Sequence, residues 1–98
     1  MKPSMDCKTV TFSGHAITQM FSRNISVDDV KAALRNGEAI ESYPNDKPYP
    51  TWLLLGTVEN RPLHVVMARN TLDANCIVVT AYEPSLSFWE PDFKTRQK

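Results

Sequence analysis

The chain has 98 residues, of which 42% are hydrophobic and 22% charged, a balance typical of one small globular domain and not of a disordered or collagenous chain. Eleven basic residues balance eleven acidic ones, so the chain lacks the net positive charge that drives non-specific binding to nucleic acid. No apolar stretch approaches the roughly 20 residues that span a bilayer, and residues 1–10 lack the apolar centre of a signal peptide. We therefore expect one cytoplasmic domain over residues 1–98, with no membrane association.

The two cysteines, Cys7 and Cys76, lie far apart in the sequence. Secreted domains of this size usually carry several cysteines that form a disulfide framework. We therefore expect both thiols to be reduced. Neither is paired with a histidine at the short spacing of a structural zinc site, and no glycine-rich phosphate loop or cofactor motif occurs. The sequence predicts no metal and no cofactor.

A strand pattern followed by a helix pattern opens the chain. Residues 6–12 are rich in β-branched and aromatic side chains and predict an edge strand. Ser13 can cap a helix that follows it. At about 100° per residue, the apolar arc of this helix contains Ala16, Ile17, Met20 and Phe21. His15, Gln19 and Arg23 lie on the opposite side of the helix, within about 80° of one another, and this spacing lets them face one phosphate.

A second helix has the clearest limits in the sequence. Ser26 and Asp29 have the spacing of a capping box, and Gly37 suits a left-handed residue after the last turn. The apolar stripe of this helix contains Val27, Val30, Ala33 and Leu34.

Beyond Gly37 the pattern changes to short runs that favour β-strands. The runs cover residues 39–43, 52–58, 63–68 and 76–82. The short turns between them require antiparallel neighbours, with a hairpin turn predicted at 59–62. The sequence thus predicts an α+β fold with an N-terminal strand, two helices that bury their apolar stripes on one face, and a four-stranded antiparallel sheet.

Alternation along the strands assigns side chains to the two faces of this sheet. The residues expected under the helices are Leu63, Val65, Met67, Ile77, Val79 and Ala81. His64 lies on the opposite face, and Thr80 and Tyr82 join it if the register aligns them. We expect a polar patch there.

The tail from about residue 84 is predicted to pack back on the edge of the domain. The apolar side chains available for this packing are Phe88, Trp89 and Phe93. Basic residues cluster at its end, so a local positive field makes Arg96 a candidate for binding an anionic substrate.

Motifs along nearly the whole chain resemble a family of small bacterial proteins of unknown function. The opening motif is Phe12-Ser13-Gly14-His15-Ala16, followed by Met20, Arg23, Ile25, Ser26 and Val30. The middle matches at Tyr43, Pro44, Pro48, Tyr49, Pro50, Leu55, Gly56, Arg61, Pro62, Leu63, His64, Val65 and Val66. The end matches at Thr80, Ala81, Tyr82, Glu83, Pro84 and Trp89. One position departs, since Gln19 stands where the family commonly has Arg.

That family is in turn similar to the RelE and BrnT toxins, which are metal-independent ribonucleases of toxin-antitoxin pairs. The resemblance implies RNA or ribosome-bound mRNA as substrate, and a zinc-ribbon or helix-turn-helix antitoxin as partner. Such cleavage needs a base, an acid, and cations for the charged phosphorane. The catalytic candidates are His15, Arg23, His64 and Tyr82, and the substrate-binding candidates are Gln19, Thr80 and Arg96.

Each candidate also has a structural interpretation. His15 is otherwise an exposed or capping histidine, Arg23 a partner of the helix C-terminus or of the nearby aspartates, and His64 a hydrogen-bonded strand residue. Trp89 is interpreted as a packing residue. Two functions therefore remain: an RNA-cleaving toxin, and a non-catalytic protein-interaction domain that uses its sheet edge or aromatic tail.

Overall fold

The structure is a computed structural model that describes residues 7–97. The elements in chain order are β1 (Thr9–Phe12), α1 (Gly14–Ser22), α2 (Val27–Asn36), β2 (Glu38–Tyr43), β3 (Thr51–Val58), β4 (Arg61–Arg69) and β5 (Asn75–Tyr82). The strands form one five-stranded sheet in the order β1-β5-β4-β3-β2. The predicted α+β class is confirmed, with the predicted sequence of one strand, two helices and four strands.

Both helices begin where the sequence predicts. The Ser13 hydroxyl accepts a hydrogen bond from the Ala16 amide at the start of α1. Ser26 and Asp29 exchange both hydrogen bonds of a capping box at the start of α2. Among residues 7–97, no helix is long and apolar enough to cross a bilayer.

The apolar arc of α1 is only half buried. Ala16 and Met20 are buried in the core, whereas Ile17 is 44% exposed and Phe21 is 86% exposed. The prediction that all four side chains face the core is therefore wrong. The helix packs on β5, near one edge of the sheet, so only a narrow stripe of it meets other side chains.

Helix α2 packs closely on β3, and Gly56 permits this, while Gly37 is crowded by the preceding turn of the helix. A Cβ atom on Gly56 would overlap the backbone of Ala33, and one on Gly37 would lie 2.8 Å from the Ala33 carbonyl oxygen. The predicted left-handed conformation of Gly37 is wrong, since its φ and ψ are −78° and 157°. Close approach of backbones, and not a positive φ, explains the glycine there.

The sheet is mixed. Strands β2 to β5 form the predicted antiparallel meander, and Glu59 and Asn60 turn the β3–β4 hairpin with φ angles of 51° and 67°. β1 is the predicted edge strand and pairs in parallel with β5. Both helices contribute to a single apolar core on one face of the sheet, as predicted.

A bulge in β5 changes which of its side chains face the helices. Met67 pairs with Val78 and Val66 pairs with Thr80, so Val79 is an extra residue between the two pairs. Cys76 and Val78 join Ala81 in the core. The prediction that Ile77 and Val79 lie under the helices is therefore wrong, because strict alternation does not continue through a bulge.

Cys7 and Cys76 form a disulfide, with 5.6 Å between their Cα atoms. The prediction of two reduced thiols is wrong. The parallel pairing of β1 with β5 brings the N-terminal segment beside Cys76, although 69 residues of sequence separate the two cysteines. Distance along the sequence was therefore no guide to their distance in space.

Candidate functional site

His64 is the one buried charged or polar residue of the described core. It lies on β4 directly opposite Tyr82 of β5 and is 0% exposed. Its Nδ1 is 3.2 Å from the Tyr82 hydroxyl and its Nε2 is 2.8 Å from the carbonyl oxygen of Phe93. Because a carbonyl can only accept, Nε2 carries the ring hydrogen and Nδ1 accepts from Tyr82.

Burial lowers the pKa of His64, because the charged imidazolium loses its hydration. The bond to the Phe93 carbonyl and the charge of Glu41 raise the pKa, but burial dominates. The pKa of Tyr82 is raised, also mainly by burial. At neutral pH the imidazole and the phenol are therefore both neutral. Nδ1 of His64 can then accept the proton that the Tyr82 hydroxyl donates.

The segment 84–97, here called the C-terminal cover, lies over this face of the sheet. Trp89 is buried and meets the His64 ring edge-on, with the ring centroids 4.5 Å apart. The cover folds back on itself through a bridge between Trp89 and Arg96. The predicted packing of Trp89 is confirmed, but it packs on the sheet face and Phe88 remains 69% exposed.

An ion pair fastens the cover to β2. The Arg96 guanidinium donates from Nε and Nη2 to the two carboxylate oxygens of Glu41, both at 2.9 Å, and lies 4.6 Å from the centre of the Trp89 ring. Tyr43 also donates to Glu41. The bond from Arg96 lowers the pKa of Glu41. Arg96, a predicted substrate-binding residue, is thus already engaged by protein groups.

Arg23 lies at the other end of the cluster, beside the last residues of β5. β1 pairs only with Asn75–Val78, so β5 has no described strand beside residues 79–82 on that side. Arg23 Nη1 donates to the carbonyl oxygen of Ala81 at 2.9 Å and is 3.4 Å from the Thr80 hydroxyl. Its positive charge also acts to lower the pKa of Tyr82.

The structure therefore brings together four of the predicted site residues, namely Arg23, Thr80, His64 and Tyr82. His15 and Gln19 lie elsewhere, on α1, which packs on the face of the sheet opposite His64. His15 is exposed and Gln19 is half-buried. The structure shows no contact between the rings of His15 and His64.

Sequence reasoning missed Glu41 and Tyr43, which anchor the cover. Both lie on β2 two residues apart, and that spacing places them on one face of the strand. The sequence pattern could have placed Glu41 and Tyr43 on one face, but it could not show that Arg96, 55 residues away from Glu41, binds there. Among residues 7–97, no group of three or more His, Cys, Asp or Glu side chains is placed to hold a metal ion.

Comparison with known proteins gives one match. The family model described as "Domain of unknown function (DUF4258)" matches residues 12–83. No curated protein sequence and no solved structure matches the chain. The match begins in β1 and ends directly after Tyr82, so it includes Arg23, His64 and Tyr82. Because the model covers well over half of the chain, this protein belongs to the DUF4258 family of domains of unknown function.

Proposed function

We propose that this chain is the toxin of a toxin-antitoxin pair and acts as a metal-independent endoribonuclease. The observation that supports this best is the cluster of a guanidinium, two hydroxyls and an imidazole at the unpaired end of β5. These are the group types that RNA cleavage by the 2′-hydroxyl requires. No metal ligand set is needed for this chemistry.

We assign Arg23 the binding of the phosphate group that is cleaved. Its guanidinium is positioned by the Ala81 carbonyl and lies beside the Thr80 hydroxyl. A guanidinium there neutralises the charge that develops on the phosphorane, and Thr80 donates to a phosphate oxygen. RNA would approach from the side of β5 that β1 leaves unpaired, since the cover lies over His64.

Tyr82 and His64 are assigned the transfer of a proton. Tyr82 takes the proton of the 2′-hydroxyl as its own proton passes to Nδ1 of His64, the 2′-oxygen attacks phosphorus, the bond to the 5′-oxygen breaks, and water protonates the leaving oxygen. His64 positions the tyrosine through Nδ1 and does not touch the substrate, because it is fully buried. The products are a 2′,3′-cyclic phosphate and a 5′-hydroxyl. The resemblance alone makes His15 a candidate base, and it has no part in this step because it lies on α1, on the other face of the sheet.

The experiment is cleavage of a labelled single-stranded RNA by the purified chain in the presence of chelator. We expect cyclic phosphate ends, and rates about 10²–10⁴-fold lower for Tyr82→Phe and Arg23→Gln. Tyr49→Phe is the control, since its hydroxyl accepts from Asn70 away from the cluster. Intact RNA, or cleavage abolished by chelator, would contradict the proposal. Ribosomes should be added in a parallel reaction, so that dependence on translating mRNA is not mistaken for inactivity.

The proposal places the chain in the cytoplasm with an antitoxin, of zinc-ribbon or helix-turn-helix type, encoded beside it. Expression of the lone chain should then arrest growth, and expression of the neighbouring gene should relieve the arrest. The Cys7–Cys76 disulfide weighs against a reducing compartment. A thiol-alkylation assay on protein taken directly from cells tests this part separately.

A second candidate is a non-catalytic protein-interaction domain. Exposed apolar side chains favour it, because Phe21 on α1 and Phe88 on the cover are 86% and 69% exposed. Folded protein that leaves RNA intact, with and without ribosomes, would make this the leading function.

A further inference from the structure

A cavity of about 440 Å³ opens on the helix side of the sheet, between the start of β1 and residues 31–35 of α2. All of its helical lining comes from α2. Its size falls within the roughly 300–1,000 Å³ of small-molecule sites. It lies on the face of the sheet opposite His64, so it is separate from the proposed catalytic cluster.

The polar lining of this cavity is basic. Lys8 approaches from the N-terminal segment, and Lys31 and Arg35 lie one turn apart on α2. The lining residues include no aspartate or glutamate. A chain of zero net charge therefore concentrates three cations at one opening.

These cations have no ion-pair partner within residues 7–97. The ion pairs of that region engage Arg61, Lys94 and Arg96 instead. The helix dipole accounts for Arg35 in the last turn of α2. It does not account for Lys31, in the first half of the helix, or for Lys8 on another element. Three like charges that line one cavity repel one another, and a bound anion would remove that cost.

The base of the cavity is apolar. Met67 is buried, and Val10 and Leu34 are half-buried beside it. An inorganic anion would leave the exposed parts of Val10 and Leu34 in water, whereas a ligand with an apolar body covers them. We propose that this cavity binds a small organic phosphate, with its phosphoryl group on Lys8, Lys31 and Arg35 and its aromatic or aliphatic body on Val10 and Leu34. A doubly charged phosphoryl group with three acceptor oxygens suits three cations better than a carboxylate does.

Titration of the full chain with phenyl phosphate tests this, followed by backbone amide chemical shifts. We expect saturable shifts at Lys8, Val10 and Leu34, with a Kd in the millimolar range for a ligand of this size. Phenol and inorganic phosphate should each bind at least about fivefold more weakly, because each supplies only half of the contacts. An absence of saturable shifts at the cavity up to about 10 mM phenyl phosphate would overturn the proposal.

Substitutions on α2 distinguish specific binding in the cavity from non-specific attraction of the phosphate to basic side chains. Arg35→Gln and Lys31→Gln should each raise the Kd for phenyl phosphate about tenfold, since each removes one charge-assisted bond. Both side chains are exposed, so the amide spectrum of each variant should remain that of the folded chain. Lys47→Gln is the matched control, on the exposed loop between β2 and β3. Equal weakening by Lys47→Gln would show non-specific attraction and reject the site.

Discussion

Tyr82 and His64 face each other across β5 and β4, and the tyrosine hydroxyl donates to Nδ1 of a fully buried imidazole over 3.2 Å. The other ring nitrogen donates to the Phe93 carbonyl of the C-terminal cover. His64 therefore links the sheet to the cover. Its two bonds make the stability of this region sensitive to both neighbours.

Tyr82→Phe should lower the free energy of unfolding by about 1–3 kcal/mol, because Nδ1 of His64 loses its donor in a buried position. Urea unfolding measures this. Tyr49→Phe removes a hydroxyl that accepts a bond from Asn70 at 3.3 Å in a partly buried place, and it should cost about 1 kcal/mol or less. Equal losses of unfolding free energy in the two variants would mean that the bond from Tyr82 to His64 stabilises the chain no more than the bond from Asn70 to Tyr49 does.

Stability should rise with pH as His64 titrates. Burial sets its pKa in the folded chain below the ordinary value of 6.5, so the unfolded chain binds the proton more tightly between these two values. In that window stability increases as pH increases, and it falls as the solution is acidified. Melting temperatures from about pH 4.5 to pH 8 should show this slope.

His64→Gln should remove that part of the pH dependence, whatever it does to stability at pH 8. His15→Gln is its control, since the His15 side chain is exposed and its loss should leave the slope unchanged. A wild-type slope that survives His64→Gln would assign the titration to other groups.

Gly56→Ala should destabilise the chain by about 3 kcal/mol, because the added Cβ overlaps the backbone of Ala33 and forces α2 away from β3. Gly14→Ala adds the same methyl group at the start of α1, where nothing lies within 4 Å. It should stabilise by about 0.4–1 kcal/mol. Chemical denaturation of the two variants checks the contrast, and a mild effect at Gly56 would show that α2 moves easily.

Removal of the disulfide should lower the free energy of unfolding by about 4 kcal/mol, since Cys7 and Cys76 close a loop across 69 positions. Cys7→Ser in oxidising buffer and the wild type in reducing buffer should both be less stable than the oxidised wild type, by similar amounts of unfolding free energy. If reduction leaves the unfolding midpoint of the wild type unchanged, the bond does not form in solution.

The features that the sequence predicted correctly depend on residues close together in the chain. Ser13, Ser26 and Asp29 cap their helices through partners within three positions, and Glu59–Asn60 turns a hairpin between adjacent strands. The shared face of His64 and Tyr82 also followed, because short antiparallel links leave few choices of register.

The features that only the tertiary structure decided depend on contacts between distant segments. The disulfide follows from the parallel pairing of β1 with β5, and Ile77 leaves the core because of the bulge at Val79. The burial of His64 follows from the cover, which Arg96 fastens to Glu41. Composition and periodicity carry no information on which distant strands meet, since side-chain spacing describes one element at a time. Only the assembled sheet and its cover make His64, a histidine on a strand, a buried and neutral proton acceptor.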